Sequence, residues 1–288
     1  MNKLPLSKRM QIINLLVEGS SLRATSRIAD VSINTVTKLL VDVGKACQDF
    51  HNQTVMFVQA NHIQCDEIWS FVYSKQKNVP AGMEEEAGDI WTWTCLDSDS
   101  KLIISWLVGE RDMGAAEAFM CDVAYRVKAK PGQITTDGLK FYQEAVLTAF
   151  GSQVNFAQLV KQYSGGDEHT NQSDRKYSPS QFVSAKKKVV FGRPDRSLIS
   201  TSHVERQNLT MRMHMRRFAR LTNGFSKKVE NHCYAVALHF VYYNFVKQHK
   251  SLRVTPAMAA GLSKRFLSIE DIVNLSDGIR PRLDNQAI

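Results

Sequence analysis

No apolar run in these 288 residues approaches the roughly 18 that a membrane-spanning helix requires. The first residues, Met1-Asn2-Lys3-Leu4-Pro5, hold none of the hydrophobic block of a secretory signal, which gives the expectation of a cytoplasmic protein with no membrane partner. Cysteine is sparse. Its five residues, Cys47, Cys65, Cys95, Cys121 and Cys233, are odd in number and include no CxxC pair, so neither a disulfide framework nor a zinc site is expected. What is present in quantity is ordinary: 43% hydrophobic residues, the proportion of a soluble globular chain. The length suits one large domain or two modest ones, with core enough to fold without staples.

Acidic residues are scarce in one place. From Arg175 to Lys228 there are fourteen Lys/Arg and only two acids, Asp195 and Glu205, a local net of +12 in a chain whose total is +9. The remainder is therefore slightly acidic. Positive charge gathered in this way points to a polyanion, nucleic acid first. A solvated basic face has the same composition, so charge alone leaves both readings open.

Residues 1–52 read as a helix-turn-helix unit. Ser7 is placed to cap a first helix whose apolar positions Met10, Ile13, Leu16 and Val17 keep helical spacing until Gly19. Ser21 precedes a second helix, about Leu22 to Ala29, and Asp30-Val31-Ser32 forms a turn before a third starting at Ile33. Ile28, Val31, Val36 and Leu39 are expected to pack inward. Asn34, Thr35, Thr37 and Lys38 then face outward at the start of the third helix, where a recognition helix meets base edges. A small helical bundle for protein contact is the alternative.

From His62 the periodicity becomes that of strands. His62–Tyr73, Asp89–Asp97 and Leu102–Gly109 are expected as strands that hold all of Trp69, Trp91, Trp93 and Trp106, whose expected work is packing. Then come a helix over Met113–Lys128, a strand over Gln133–Thr136, a helix over Leu139–Phe150 and a strand over Val154–Val160. Residues 165–200 read as a basic, substrate-facing loop containing Lys186, Lys187, Lys188 and Arg193, and a last long helix covers about Lys228–Val246. This order is that of a ribonuclease-H-like α/β domain, a mixed sheet flanked by helices, over residues 53–262. Residues 263–288 are read as a tail.

Three acids could carry chemistry there. Asp66 lies on the first strand, Asp137 follows the fourth, and Glu205 falls on a basic helix starting near Ser202. Two aspartates at strands and a helical glutamate can together hold two Mg²⁺, with Mn²⁺ as a substitute, for in-line phosphoryl displacement. Each has a plain alternative: Asp137-Gly138 is also a turn, and Glu205 could be a salt-bridged surface residue. Glu67 should point to the opposite face of its strand from Asp66, so that only one of them joins a site. Arg212, seven residues after Glu205, is placed to meet a phosphate near it. Arg206, Arg216 and Arg217 would track a DNA backbone elsewhere. His203 is either an auxiliary that positions the nucleophile or scissile phosphate, or a structural histidine.

Taken together, Asp66-Glu67-Ile68-Trp69-Ser70, Thr136-Asp137-Gly138 and Ser202-His203-Val204-Glu205-Arg206-Gln207-Asn208-Leu209 closely resemble DDE transposases of the insertion-sequence-one type. Arg216-Arg217-Phe218-Ala219-Arg220-Leu221-Thr222 fits the same pattern. The stretch from Tyr243-Asn244-Phe245 through His249, Leu252, Thr255 and Pro256 is similar to the ends of many retroviral-integrase-like transposases. The resemblance covers roughly residues 55 to 260. It implies a ribonuclease-H-like core, Mg²⁺ dependence, recognition of terminal inverted repeats in double-stranded DNA, and strand transfer into a target. Asp66, Asp137 and Glu205 become the expected metal ligands. It further implies a homodimer or larger synaptic assembly and a bacterial, nucleoid-associated setting. A cysteine-rich zinc finger carried by some relatives is missing here. A structure-selective nuclease of the same fold and a catalytically silent DNA-binding regulator stay open as alternatives.

Overall fold

The computed structural model of the chain describes residues 3–83, 85–163, 182–219 and 223–284. It opens on helices α1 (Leu6–Val17), α2 (Leu22–Ala29) and α3 (Ile33–Thr54). Short-range chemistry sets their ends. Ser21 Oγ accepts from Ala24 N and Ser32 Oγ from Thr35 N, both at 3.1 Å, so the two serines expected as caps do cap. Gly19 takes a φ of 90° just past α1, a conformation that costs glycine nothing. At α1 the expectation fails, because Ser7 lies inside the helix and Pro5 precedes it without any side-chain cap. Ile28 also departs from expectation at 57% exposed: α2 buries the stripe Thr25 and Ala29 instead. Val36 and Leu39 are buried and Val31 packs half-buried against the core. Asn34 and Lys38 are exposed and Thr35 and Thr37 half-exposed on the first turns of α3.

The boundary expected between residues 52 and 53 falls in the last turn of α3. The second half of that helix, with Leu40, Val43, Cys47 and Phe50, joins the same continuous core as the sheet. It lies against α7 (Val229–Val241) so closely that a Cβ on Gly44 would stand 2.4 Å from the carbonyl oxygen of Tyr234.

The remaining elements are β1 (His62–Val72), β2 (Gly88–Asp97), β3 (Ile103–Gly109), α4 (Met113–Arg126), β4 (Gln133–Thr136), α5 (Phe141–Phe150), β5 (Phe156–Tyr163), β6 (Phe182–Phe191) and α6 (Ser202–His214), followed after α7 by α8 (Pro256–Ala259) and α9 (Ile269–Leu275). The strands form one six-stranded sheet in the order β3-β2-β1-β4-β5-β6. The pairs β3-β2, β2-β1 and β5-β6 are antiparallel, and β1-β4 and β4-β5 parallel. The chain is thus a mixed α/β sheet flanked by helices, as the sequence led us to expect, with β1 and β4 neighbours at its centre.

Strand alternation divides β1 between two environments. Cys65 and Glu67 share a face with Trp93, whose ring meets Phe119 of α4 and Tyr142 of α5 at 6.0 and 5.5 Å. Gln64, Asp66 and Ser70 face the other way, toward α6 and α7. Trp93 is fully buried, and Trp106 packs on His51 and Phe240. All five cysteines are unpaired. No helix among the described residues is long and apolar enough to cross a membrane.

Three further segments differ from the sequence reading. Residues 182–191, expected within the basic loop, form β6 and pair with β5; both faces of this ribbon are largely exposed, so no apolar alternation betrays it. Residues 165–181 of that loop lie outside the described residues. The expected final helix breaks into α7 and a π-turn over Tyr242–Val246, where the buried Asn244 accepts from Ile103 N at 3.0 Å and donates to Ile103 O at 2.9 Å. The segment read as a tail folds back: α9, closed by a Ser268–Asp271 capping box, packs on α1 and α3, and Asp277 pairs with Arg9 at 3.0 Å.

The contact at Gly44 makes a prediction. Gly44→Ala should cost about 1–3 kcal/mol by overpacking, read as a shift in the chemical-denaturation midpoint. An unchanged midpoint would mean that α3 and α7 are not held this closely.

Candidate active site

β4 ends at Thr136, which is level with Cys65 of β1. Beyond it the chain leaves the sheet, and Asp137 sits beside Asp66 and Glu67 in the notch so made. Such crevices at the carboxyl ends of parallel strands are where open α/β sheets bind ligands. One oxygen from each of Asp66, Glu67 and Asp137 lies within 4.8 Å of the others. The expectation that only one of Asp66 and Glu67 can join a site is therefore corrected. Their side chains do leave opposite faces, but β4 has ended on one side of β1 at this level while β2 continues on the other, and both reach the edge that β4 leaves open.

Each carboxylate is held from a different side. Asp66 Oδ2 accepts from Asn208 Nδ2 at 2.8 Å. Glu67 Oε1 accepts from Arg111 Nε at 2.8 Å, and Glu67 Oε2 from the Tyr142 hydroxyl at 3.3 Å. Asp137 Oδ1 accepts from Leu139 N at 3.1 Å, a local turn that delays the start of α5 to Phe141. Buried Gln158 on β5 ties that turn down by donating to the carbonyls of Asp137 and Leu139, both at 2.9 Å.

Glu205 enters on the first turn of α6. Its Oε1 accepts from Thr201 Oγ1 and forms an ion pair with Lys161 of β5. The start of α6 is capped in an unusual way: Gln64 of β1, buried two residues before Asp66, accepts from His203 N at 2.9 Å and Val204 N at 3.2 Å. Gln64 and Asn208 thus fasten α6 to β1 above and below Glu205. Asp66, Glu67, Asp137, Glu205 and Asn208 line one cleft of about 830 Å³ together with Arg111, Lys140, Lys161 and Arg212.

The electrostatics are those of crowded, buried anions. Burial first, then the charges of Asp137 and Glu67, hold Asp66 well above the usual carboxylate range. Burial and Asp137 push Glu67 up to about 7 against the pull of Arg111. Asp137 is raised as well, by burial chiefly and by Glu205, against the Leu139 amide, Arg111 and Lys161. Three hard oxygen donors this close, each resisting ionisation, fit a divalent cation such as Mg²⁺ or Mn²⁺, whose charge would offset theirs. Asp66, Glu67 and Asp137 are the residues placed to hold it.

Of the residues singled out in the sequence, Asp66, Asp137, Glu205 and Arg212 meet in the cleft. His203 is exposed, does not line it, and lies 3.1 Å from Lys101 through Nε2. Arg206 is exposed, Arg216 donates to Gly19 O at 3.4 Å, and Arg217 has its Nε buried, burial lowering the guanidinium to about 10. Lys186, Lys187 and Lys188 are exposed on β6, and Arg193 is exposed just after it. Asn34, Thr35, Thr37 and Lys38 are on α3, apart from the cleft lining. Sequence reasoning passed over Glu67, Gln64, Lys161 and Asn208. For Gln64 and Asn208 a signal existed: each is polar and stands on the same face of its element as a candidate acid, two residues from Asp66 and three from Glu205.

No family model and no curated protein matches the chain. Among solved structures it is similar to the piggyBac transposase synaptic complex with hairpin DNA, at a TM-score of 0.41 and 10% identity over 94% of this chain and 69% of that one. It is also similar to the Mos1 strand transfer complex, at a TM-score of 0.21 and 12% identity over 84% and 77%. Likenesses this distant identify neither a residue nor an activity.

Glu67 gives a pH dependence with a definite sign. Its carboxyl is raised in the fold from 4.5 to about 7, so the stabilisation of its neutral form is complete below 4.5 and is lost as pH rises to about 7. In metal-free protein, Glu67→Gln should therefore gain on wild type in melting temperature across that window and level off above it. The gain in stability is on the order of 3 kcal/mol at most, at about 1.4 kcal/mol per pH unit. A difference that stays flat from pH 4 to 8 would show that Glu67 ionises freely in the fold.

Proposed function

We propose that this chain is a DNA transposase that cuts at element ends and joins the freed 3′-hydroxyl to target DNA. The observation that carries the reading is the meeting of Asp66, Asp137 and Glu205, from three distant stretches of sequence, in one cleft rimmed by Arg111, Lys140, Lys161 and Arg212. An acidic centre surrounded by cations is what a phosphodiester backbone requires. The cations neutralise the phosphates that must approach, while the carboxylates provide the hard-ligand centre.

When bound, two Mg²⁺ ions would supply a nucleophile at neutral pH and charge stabilisation of the leaving oxygen. The chain's own residues set the stage for this. Asn208, Gln158 and the Arg111–Tyr142 pair orient Asp66, Asp137 and Glu67 respectively, so that the carboxylates need not reorganise. Arg212, which lines the cleft with Lys161, would meet a non-bridging phosphate oxygen. Lys161 holds Glu205 until a competing charge arrives. In the same reading the helix-turn-helix presents Asn34, Thr35, Thr37 and Lys38 to the terminal repeats of double-stranded DNA. Lys186, Lys187, Lys188, Arg193, Arg206 and Arg216 contact backbone, buried Arg217 does not, and two copies or more bring the ends together.

A catalytically silent DNA-binding regulator is the second reading, and the Lys161–Glu205 ion pair favours it, since that pair neutralises Glu205 without any metal. Cleavage and strand transfer on labelled DNA carrying the inverted repeats that flank the gene separate the two. Wild type should cut and join with Mg²⁺ or Mn²⁺, and Glu205→Gln should lose roughly two to three orders of magnitude in rate, the scale for removing one group that stabilises a transition state, while still binding the repeats. Binding with no cleavage by wild type in either ion would favour the regulator. Cleavage with no joined product would favour a structure-selective nuclease.

A further inference from the structure

Asn208 carries an atom to which the cleft gives no partner. The residue follows Glu205 by one turn on the same face of α6 and is 7% exposed. Its Nδ2 donates to Asp66 Oδ2 at 2.8 Å. In this arrangement the amide nitrogen faces Asp66 and the amide oxygen is turned away from it. That oxygen, Oδ1, is buried and accepts no hydrogen bond from any described residue. Leaving a buried acceptor unpaired costs about 1–3 kcal/mol, and in a native fold such an atom calls for a reason.

The reason lies beside it. Asn208 lines the cleft next to a cluster of three carboxylates whose oxygens approach within 4.8 Å. We propose that Asn208 Oδ1 is a further oxygen ligand of the divalent cation held by Asp66, Glu67 and Asp137. Amide carbonyls are ordinary ligands of hard divalent cations. A neutral donor raises the coordination number without adding a fourth negative charge to a buried anionic cluster. One planar amide would then do two things at once. Its nitrogen fixes the rotamer of Asp66, and its oxygen, rigidly linked to that nitrogen, closes on the ion. Because Asn208 and Glu205 share one face of α6, the ion would also set the height of Glu205 over the cleft. The inference rests on the metal-centred reading above and names a ligand that reading does not contain.

The test is calorimetric titration of Mn²⁺ into full-length wild type, Asn208→Ala and Asn208→Asp, with metal-free melting curves to establish that each is folded. Asn208→Ala should weaken Mn²⁺ binding about 10- to 100-fold, the range seen when a supporting group at a metal site is removed. Asn208→Asp keeps the oxygen and loses the donor, so it should recover most of that affinity. If Asn208→Ala binds Mn²⁺ like wild type, or Asn208→Asp binds as poorly as the alanine variant, Asn208 only orients Asp66 and the proposal is overturned while the metal site stands. A wild type that takes up no Mn²⁺ overturns both. Should neither variant fold, wild type with carbonyl-¹³C-labelled asparagine side chains and bound Mn²⁺ decides the matter by electron–nuclear double resonance. A ¹³C coupling of the size given by a directly ligated carbonyl is expected, and its absence overturns the proposal.

Discussion

The fastening of α6 to β1 is the constraint on which the site depends. Asp66 belongs to the sheet and Glu205 to a helix well over a hundred residues later, so nothing in the backbone relates them. Two amide side chains do: Gln64 caps the helix start from the strand, and Asn208 returns from the helix to Asp66. Both are buried, where hydrogen bonds are least diluted by water and their loss most costly. Glu205 lies between these two ties. Its height above Asp66 and Asp137 is thus set by polar contacts as well as by the apolar packing of Val204 and Met211.

What the fold gains in geometry it gives up in stability. Asp66, Glu67 and Asp137 are gathered in a notch where burial and mutual repulsion oppose their ionisation. The opposing charges are unevenly placed. Arg111 serves Glu67 and Lys161 serves Glu205, while Asp66 is met by the neutral amide of Asn208 and the backbone N–H of Glu67. Such unevenness is unlike a salt-bridge network built for rigidity, in which each acid would have its own base.

Much of this was legible in the sequence, and the failures have physical causes. β1, β2, β3 and β4 each bury one face or both, so their residues carry a period or an apolar run, and Asp137 stood out at the end of one. The face of Asp66 was readable from alternation. That Glu67 joins it from the other face was not, because the notch exists only through the register of β4 on β1, a long-range fact. β6 was unreadable for a different reason: it buries neither face and is held by backbone bonds to β5, which leave no mark on side-chain chemistry. The failed cap at Ser7 shows Pro5 starting the helix two residues early. Asn208 carried a signal in its spacing from Glu205, but only the unsatisfied oxygen gives that spacing a meaning.

The two outer strands of the sheet are closed by opposite means. At β3, the amide of Asn244 bonds both the N–H and the carbonyl of Ile103, so that a single side chain stands in for the next strand. At β6 no such cover exists among the described residues, and Phe182 and Val183 are 59% and 62% exposed. An apolar open edge of this kind is a template on which a second chain can add. Lys186, Lys187 and Lys188 interrupt it with three adjacent positive charges, which in an added antiparallel copy would face their own like. Charges placed in this way oppose the pairing of two free edges through the sheet. A polyanion that neutralises them would at the same time remove that guard.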